Sequence, residues 1–347
     1  MTPANFVDTT RQLGEISLPG KTGRPGSDSS LVWAVRAVRR ELLGFRFDYP
    51  IEALPSADPG KSWHYHIASE RLFLEDLEFD ANGVAVRNYR ALGRRYNPVF
   101  VAWWGLVNLE RYLRRPEKAY LETFFTQIEW LKTHAMERED GAVLWLCHFD
   151  WQEGLCRLPN PWFSAMYQGL VISTLVRAYR ITGDRALLTL CEKGARVFEK
   201  PIDQGGVRTV EHGHVLYEEY PGYPLARVFD GFLFSLLGLY DLQAETGDPR
   251  IRRLFDEGID GLTANIELWN YRNKWSWYGS HGYLCPTHYH KLNGVLLSVL
   301  GNLTGNETLK RYAALWDMKA LSLADKLEIF LVFTITKNWA RLRLPRN

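Results

Sequence analysis

Cysteine is scarce in this chain of 347 residues: Cys147, Cys156, Cys191 and Cys285 are all there are, and no two form a Cys-x-x-Cys pair. That scatter excludes a zinc ribbon or a disulfide framework and reads as free thiols in a reducing compartment. An excess of one charge is also missing. Lys and Arg number 42 against 40 Asp and Glu, a net +2, so no overall field favours nucleic acid. Long apolar runs are lacking: the one near the end, Ile329 to Phe333, is far too short to span a bilayer. Met1-Thr2-Pro3-Ala4-Asn5-Phe6 shows no basic stretch leading into an apolar one, so no secretion signal is expected.

Aromatic residues, by contrast, are abundant at 14%, with 13 Trp and 17 Tyr. Such a set serves either a generous core or sugar recognition, because flat rings match the apolar faces of pyranoses. Two clusters stand out. In Tyr217-Glu218-Glu219-Tyr220-Pro221-Gly222-Tyr223-Pro224, two adjacent carboxylates and three tyrosines surround two prolines, just before the apolar run that opens at Val228-Phe229-Asp230-Gly231-Phe232. Proline stops a helix and fixes the backbone, so this is a shaped loop. The second cluster is Trp275-Ser276-Trp277-Tyr278, then Tyr283 to His290. If the two meet, they form a cleft with stacking platforms, a carboxylate and several phenols, suited to proton chemistry on a sugar.

The organisation is helical and repetitive. Residues 1–30 are rich in Gly, Ser, Thr and Pro and read as irregular; Leu31 to Leu43, with Arg36, Arg39 and Arg40, reads as an amphipathic helix. Trp63 to Tyr89 alternates, with a turn at Asp80-Ala81-Asn82-Gly83, and reads as a small β-rich segment. From Asn97-Pro98 onward, Thr182-Gly183-Asp184, Thr246-Gly247-Asp248 and Thr304-Gly305-Asn306 each separate two apolar-periodic runs, and Arg114-Arg115-Pro116 takes the equivalent place one period earlier. Gly ends one helix in a left-handed conformation, and Asp or Asn caps the next. Repeated helical hairpins of this kind close into an α/α toroid, with the long loops between hairpins on one face. The expected fold is mainly α: an α/α barrel with a small β-rich N-terminal segment. The expected division is residues 1–95, a helical-hairpin domain over 96–320, and a basic tail over 321–347.

Trp162-Phe163-Ser164-Ala165-Met166-Tyr167-Gln168-Gly169, then Ile172 to Tyr179, resembles the C-terminal catalytic domain of the D-glucuronyl C5-epimerases. So does Tyr217 to Pro221, continuing to Gly231-Phe232 and Ser235 to Leu242, and the resemblance covers residues 96–317. It implies an α/α barrel that inverts C5 of glucuronate in a heparosan-like polymer, without cofactor or metal, as a homodimer. It makes Glu219, Tyr220, Tyr278 and Tyr289 the catalytic candidates, with Tyr283 a rival to Tyr289. Where the family has an aspartate directly after the first of these tyrosines and an arginine three residues after it, this chain has Gly279 and His281. Either another cation, such as Arg227, takes over the arginine's expected duty of holding the substrate carboxylate, or substrate preference differs, or activity is lost; His281 itself stays among the substrate-side candidates.

Further substrate-side candidates are Trp162, Gln168, Arg177, Glu218, Trp277 and His290. For Gln168 a buried helix–helix hydrogen bond is an alternative, for Arg177 an internal ion pair, for Glu218 a structural partner, and for His290 a satisfied loop histidine. His212 and His214 match no familiar metal spacing. C5 inversion needs a base on one face, an acid on the other, and neutralisation of the carboxylate between them. Tyrosine, with an ordinary pKa near 10, serves readily as acid and needs help to serve as base. A uronate lyase shares the first step, and a non-catalytic glycan binder is the alternative outside enzymes. Placement in the bacterial cytoplasm follows from the lack of an export signal, with the basic tail (Lys337, Arg341, Arg343, Arg346) either packed on the barrel or touching a membrane.

Overall fold

The computed structural model describes residues 76–344 without a break and, before them, residues 39, 44, 45, 49–54, 56, 58–68 and 74. The expected irregular stretch over 1–30 and the helix over 31–43 lie outside the described residues, save helical Arg39. The chain divides into two compact units, residues 1–40 and 41–347; the second carries everything below.

Eight helices of this unit pair into four hairpins. They are α1 (Pro98–Arg114) with α2 (Lys118–Thr133), α3 (Ala165–Thr182) with α4 (Arg185–Gly194), α5 (Phe229–Thr246) with α6 (Pro249–Asn265), and α7 (Thr287–Thr304) with α8 (Glu307–Leu315). A final helix, α9 (Leu323–Arg343), opens on a capping box of Ser322 and Asp325. This is the mainly helical, α/α-barrel class that the repeat predicts.

The joints form as their local chemistry dictates. Gly183, Gly247 and Gly305 end α3, α5 and α7 at φ of 74°, 66° and 69°. Asp184, Asp248 and Asn306 accept from the N–H groups of Ala186, Arg250 and Leu309. The threonine of each joint has a part that was not foreseen. Its hydroxyl donates to the carbonyl four residues back and accepts from the Asp or Asn N–H two residues on, at Thr182, Thr246 and Thr304 alike.

α3 and α5 are buried on almost every face, whereas α6 buries one stripe that includes Ile251, Leu254, Phe255, Ile259 and Leu262. α3 and α5 run parallel and touch backbone to backbone. A Cβ on Gly238 would lie 2.2 Å from the Gly169 carbonyl oxygen, and one on Gly169 would lie 2.5 Å from the Ser235 Cα. Two turns further on, Arg177 meets Asp241 at 2.6 Å. Each hairpin returns the chain to the end where it began. The inner helices therefore share one direction, and the long connections collect at their N-terminal ends.

The small sheets are antiparallel. β1 (Glu52–Ala53) pairs with β2 (Ile67–Ala68), and β3 (Leu77–Phe79), β4 (Ala85–Tyr89) and β5 (Gly93–Arg95) form a three-stranded sheet. This sheet packs on the first hairpin: Gln127 of α2 accepts from the Ala85 N–H and donates to the Gly83 carbonyl. The alternation at Trp63–Ile67 yields a strand only from Ile67. Helix side chains take the carbonyls that a strand would have used: Arg177 binds His64, and Arg180 binds Ser62 and Gly60. His66 contacts Asp241 at 2.8 Å, so this segment seals the C-terminal ends of α3 and α5. The expected basic tail is mostly α9, anchored by Ile329 and Phe333.

The helix contact sets a stability test. Gly238→Ala should lower the unfolding free energy by about 3 kcal/mol, because backbone cannot yield as a side chain does. Gly294→Ala, whose Cβ would point into open space within α7, should be neutral or stabilise by about 0.5–1 kcal/mol. Urea titration of both variants measures the contrast.

Candidate active site

The connections at the N-terminal ends of the inner helices carry both aromatic clusters. Between α2 and α3 lie β6 (Ala135–Glu137), β7 (Val143–Trp145), β8 (Trp151–Glu153) and β9 (Cys156–Leu158). Between α4 and α5 lie β10 (Arg208–Glu211) and β11 (His214–Tyr217), and between α6 and α7 lie β12 (Asn270–Tyr271) and β13 (Trp275–Ser276).

A set of backbone bonds clamps the last two connections together. The Phe229 N–H donates to the Tyr278 carbonyl, the Ser280 N–H to the Ala226 carbonyl, and Trp269 Nε1 to the Arg227 carbonyl at 2.7 Å. Arg227 sits at φ 51°, a left-handed conformation held by its own side chain. Its guanidinium binds Glu218, Glu211 and Thr209, and its N–H donates to Glu218. Gly279 lies inside this clamp, where a Cβ would fall 2.5 Å from the Ala226 carbonyl oxygen. An aspartate therefore does not fit at this position without moving the Ala226–Arg227 backbone, which accounts for that departure from the family pattern.

Glu219 points the other way from Glu218. Its carboxyl lies against the first turn of α5, where a Cβ on Gly231 would be 2.1 Å from Oε2. Oε2 is buried without a hydrogen-bond partner. Burial first, and the neighbouring Asp230 and Glu153 charges second, push the Glu219 carboxyl well above the ordinary range, against the opposing effect of a hydrogen bond with Tyr220. Burial raises Asp230 to about 7, although the N–H groups of Asp230 and Gly231 oppose it. Glu153, at the end of β8, places Oε1 3.0 Å from His281 Nε2, off the line of a hydrogen bond. The His281 side chain is 3% exposed, and neither ring nitrogen has a hydrogen-bond partner.

The phenols gather beside these acids. Tyr278 stacks on Tyr283, with centroids 5.3 Å apart, and meets Tyr289 edge-on at 5.9 Å and His281 at 5.0 Å. Tyr220 lies 6.0 Å from Trp162, whose ring also faces Tyr167 and Trp151. Burial, then the charge of Glu153, Asp230 or Glu219, holds Tyr220, Tyr278, Tyr283 and Tyr289 above the usual phenol range. All four are therefore neutral O–H groups at neutral pH. Tyr283 and Tyr289 both touch the Tyr278 cluster, so geometry gives neither one precedence.

Several expected substrate contacts lie elsewhere. Gln168 spends its amide on backbone: Oε1 accepts from Trp145, and Nε2 donates to Val143 and Gly194. Arg177 is fully buried with Asp241 at the sealed end of the barrel. Glu218 and Arg227 satisfy one another within the clamp. His290 stacks on Trp275 at 3.6 Å; Nδ1 accepts from the Ser276 N–H, and Nε2 donates to the Trp316 carbonyl. Burial lowers this imidazole to about 3, so it is a neutral structural group. Trp277 packs edge-on against Tyr271 at 5.5 Å, in the cluster that seats α9. Trp162 gives its N–H to Phe149 and serves as aromatic wall.

The sequence reading missed Glu153 and left Asp230 without a role. An acid one residue into an apolar helix, facing a second acid, was the available signal for Asp230; Glu153 in its Trp151-Gln152-Glu153-Gly154 hairpin offered none.

A family model described as the D-glucuronyl C5-epimerase C-terminus matches residues 139–318, which contain Glu153, Glu219, Asp230 and the four tyrosines. This chain belongs to that family. The C5-epimerase match is accompanied by 28% identity over 236 residues to D-glucuronyl C5-epimerase of Caenorhabditis elegans, covering 63% of this chain and 38% of the nematode protein. The chain thus spans well under half of that relative's length. An uncharacterised protein of Methanocaldococcus jannaschii is 26% identical over 211 residues, covering 60% of this chain and 67% of its own. Among solved structures, a cellobiose 2-epimerase of Bacillus thermoamylovorans aligns over 82% of this chain and 70% of its own, at 13% identity and a TM-score of 0.45, too slight a likeness to carry an argument.

The raised Asp230 gives a pH signature. Its folded pKa lies above the unfolded value, so its burial penalty is absent below about pH 4, grows as the pH rises and is complete above about pH 7. Asp230→Asn removes that penalty. Relative to the parent, its stability should improve by on the order of 2 kcal/mol between pH 4.5 and pH 8. Denaturant titrations at the two pH values read the difference.

Proposed function

We propose that this protein is a carbohydrate epimerase that inverts C5 of D-glucuronate to L-iduronate in a heparosan-like polymer. The observation that carries this reading is the buried carboxyl of Glu219, whose Oε2 has no hydrogen-bond partner and which shares a site with Asp230, Glu153 and a cluster of neutral phenols. A buried polar atom left without a partner costs about 1–3 kcal/mol, and a substrate that completes it recovers that loss.

In this reading the phenols of Tyr220, Tyr278 and Tyr289 are acids rather than bases, because burial holds their protons. The base is a carboxylate of the Glu153–Glu219–Asp230 group. Asp230, near 7, is poised to exchange a proton close to neutral pH. Protonated Glu219 donates to the developing enolate oxygen, as a neutral acid kept so by burial does. Trp162 and Trp151 form a wall for sugar faces.

A homodimer belongs to the same proposal; the exposed apolar row Leu323, Leu327, Leu331, Ile335, Trp339 and Leu342 on α9 supports it. Cytoplasmic action on the polymer before export is likewise proposed. Among the described residues, no helix is long and apolar enough to cross a membrane.

Incubation with heparosan and other uronate polymers in deuterium oxide tests the chemistry. Deuterium should appear at C5 without ultraviolet absorbance from an unsaturated uronate. Glu219→Gln and Tyr278→Phe should each slow exchange by about 10²–10⁴-fold. Unsaturated product would identify a lyase, and no exchange on any polymer would end the proposal.

A further inference from the structure

We propose that Lys337, on the C-terminal helix, is the cation that meets the uronate carboxylate and sets the preference for an acidic sugar. This rests on the function proposed above and adds a binding residue that lies beyond the family match, which ends at residue 318.

The helix is docked so that Lys337 arrives at the phenols. Asp325 pairs with Lys274 at 2.5 Å, and Glu328 accepts from the Tyr271 hydroxyl at 2.9 Å, fixing the first half of α9 to β12 and β13. Ile329 and Phe333 pack with Trp275 and Leu284, one chain segment away from Tyr278 and Tyr283. Four-residue spacing keeps Lys337 on that face, one turn beyond Phe333. Its Nζ lies 3.3 Å from the Tyr283 ring centroid and 5.9 Å from that of Tyr278.

A uronate entering this site meets Glu153, Glu219 and Asp230, and any of these that is ionised repels it. Without a cation at the phenols, the site would favour neutral sugars. The other cations are placed differently. Arg227 is bound by Glu218 and Glu211, Arg177 lies at the sealed end, and His281 faces Glu153. Arg87 of β4 stands at the Tyr289 side, over the Phe100 ring and 3.7 Å from Asp76. Lys337 stands over the stacked Tyr278–Tyr283 pair, and its flexible four-carbon stem lets the ammonium follow a carboxylate. With His281 where the family has arginine, this assigns the carboxylate to a helix instead of a loop.

The test is calorimetric binding of a uronate oligosaccharide and of the same oligosaccharide with its carboxylates reduced to alcohols. The parent should prefer the acidic form by at least about tenfold. Lys337→Met should lose that preference while binding the reduced form as the parent does, and Lys337→Arg should keep most of it. Thermal melts confirm that both variants fold. A preference unchanged in Lys337→Met, or abolished by Arg87→Met instead, overturns the proposal. Failure of C5 exchange in the parent would overturn the epimerase reading alone, since the binding preference still decides the role of Lys337.

Discussion

The close contact of α3 with α5 is the constraint on which the site depends. Two parallel inner helices cross with Gly169 against Gly238, and no side chain stands between their backbones. Their N-terminal turns are thereby fixed at short range. Trp162, at the entry of α3, meets both Tyr167 and Tyr220, the latter in the connection that leads into α5. The same economy of space recurs one turn into α5, where Gly231 leaves room for the Glu219 carboxyl. A site made from several loops is then as rigid as the helices beneath it.

Within that frame, adjacent carboxylates receive opposite treatment. Glu218 is buried but answered by the Arg227 guanidinium and N–H, so it clamps the loop. Glu219 is buried and left with one oxygen unanswered. Fully paired buried groups confer structure, whereas a buried group short of partners is tolerated where a ligand supplies them. The same contrast separates the two ends of the barrel. At the sealed end, Arg177, Asp241 and His66 satisfy one another; Arg177 and His66 hold the Asp241 carboxyl far below its ordinary range despite its burial. At the opposite end, burial lifts Glu219 and Asp230 above theirs.

What was legible in the sequence followed from how local its cause is. The Thr-Gly-Asp and Thr-Gly-Asn joints declare helix ends within three residues, and their recurrence gave the hairpin array. Proline and tyrosine around Glu219 declared a shaped loop, and the structure does bring it beside Tyr278. Polar residues with distant partners were not legible. Gln168 reads equally as a substrate amide or a buried helix–helix contact, and the structure shows its amide occupied by Val143, Trp145 and Gly194. His290 was likewise open between a substrate contact and a satisfied loop histidine, and its partners are Ser276 and Trp316. The basic tail was expected to pack on the barrel or to touch a membrane, but where Lys337 would arrive was not legible, because docking on Trp275 is what turns it toward the tyrosines.

The acidity of the site bears on the direction in which protons can move. Four phenols held neutral by burial can give protons but are poor at taking them, so two opposed tyrosines cannot by themselves invert a carbon centre. The proposed reaction therefore takes one of its partners to be a carboxylate able to lose and regain a proton near the working pH. Asp230 meets that condition because two opposing influences meet on it: burial raises it, and the N–H groups of the α5 first turn hold it back. Glu219 has no helix donor beside it; burial, then the Asp230 and Glu153 charges, push it well above its ordinary range against the hydrogen bond with Tyr220. The first turn of α5 thus treats two neighbouring acids differently by giving its N–H groups to one of them, and the proposed division into donor and acceptor rests on that difference.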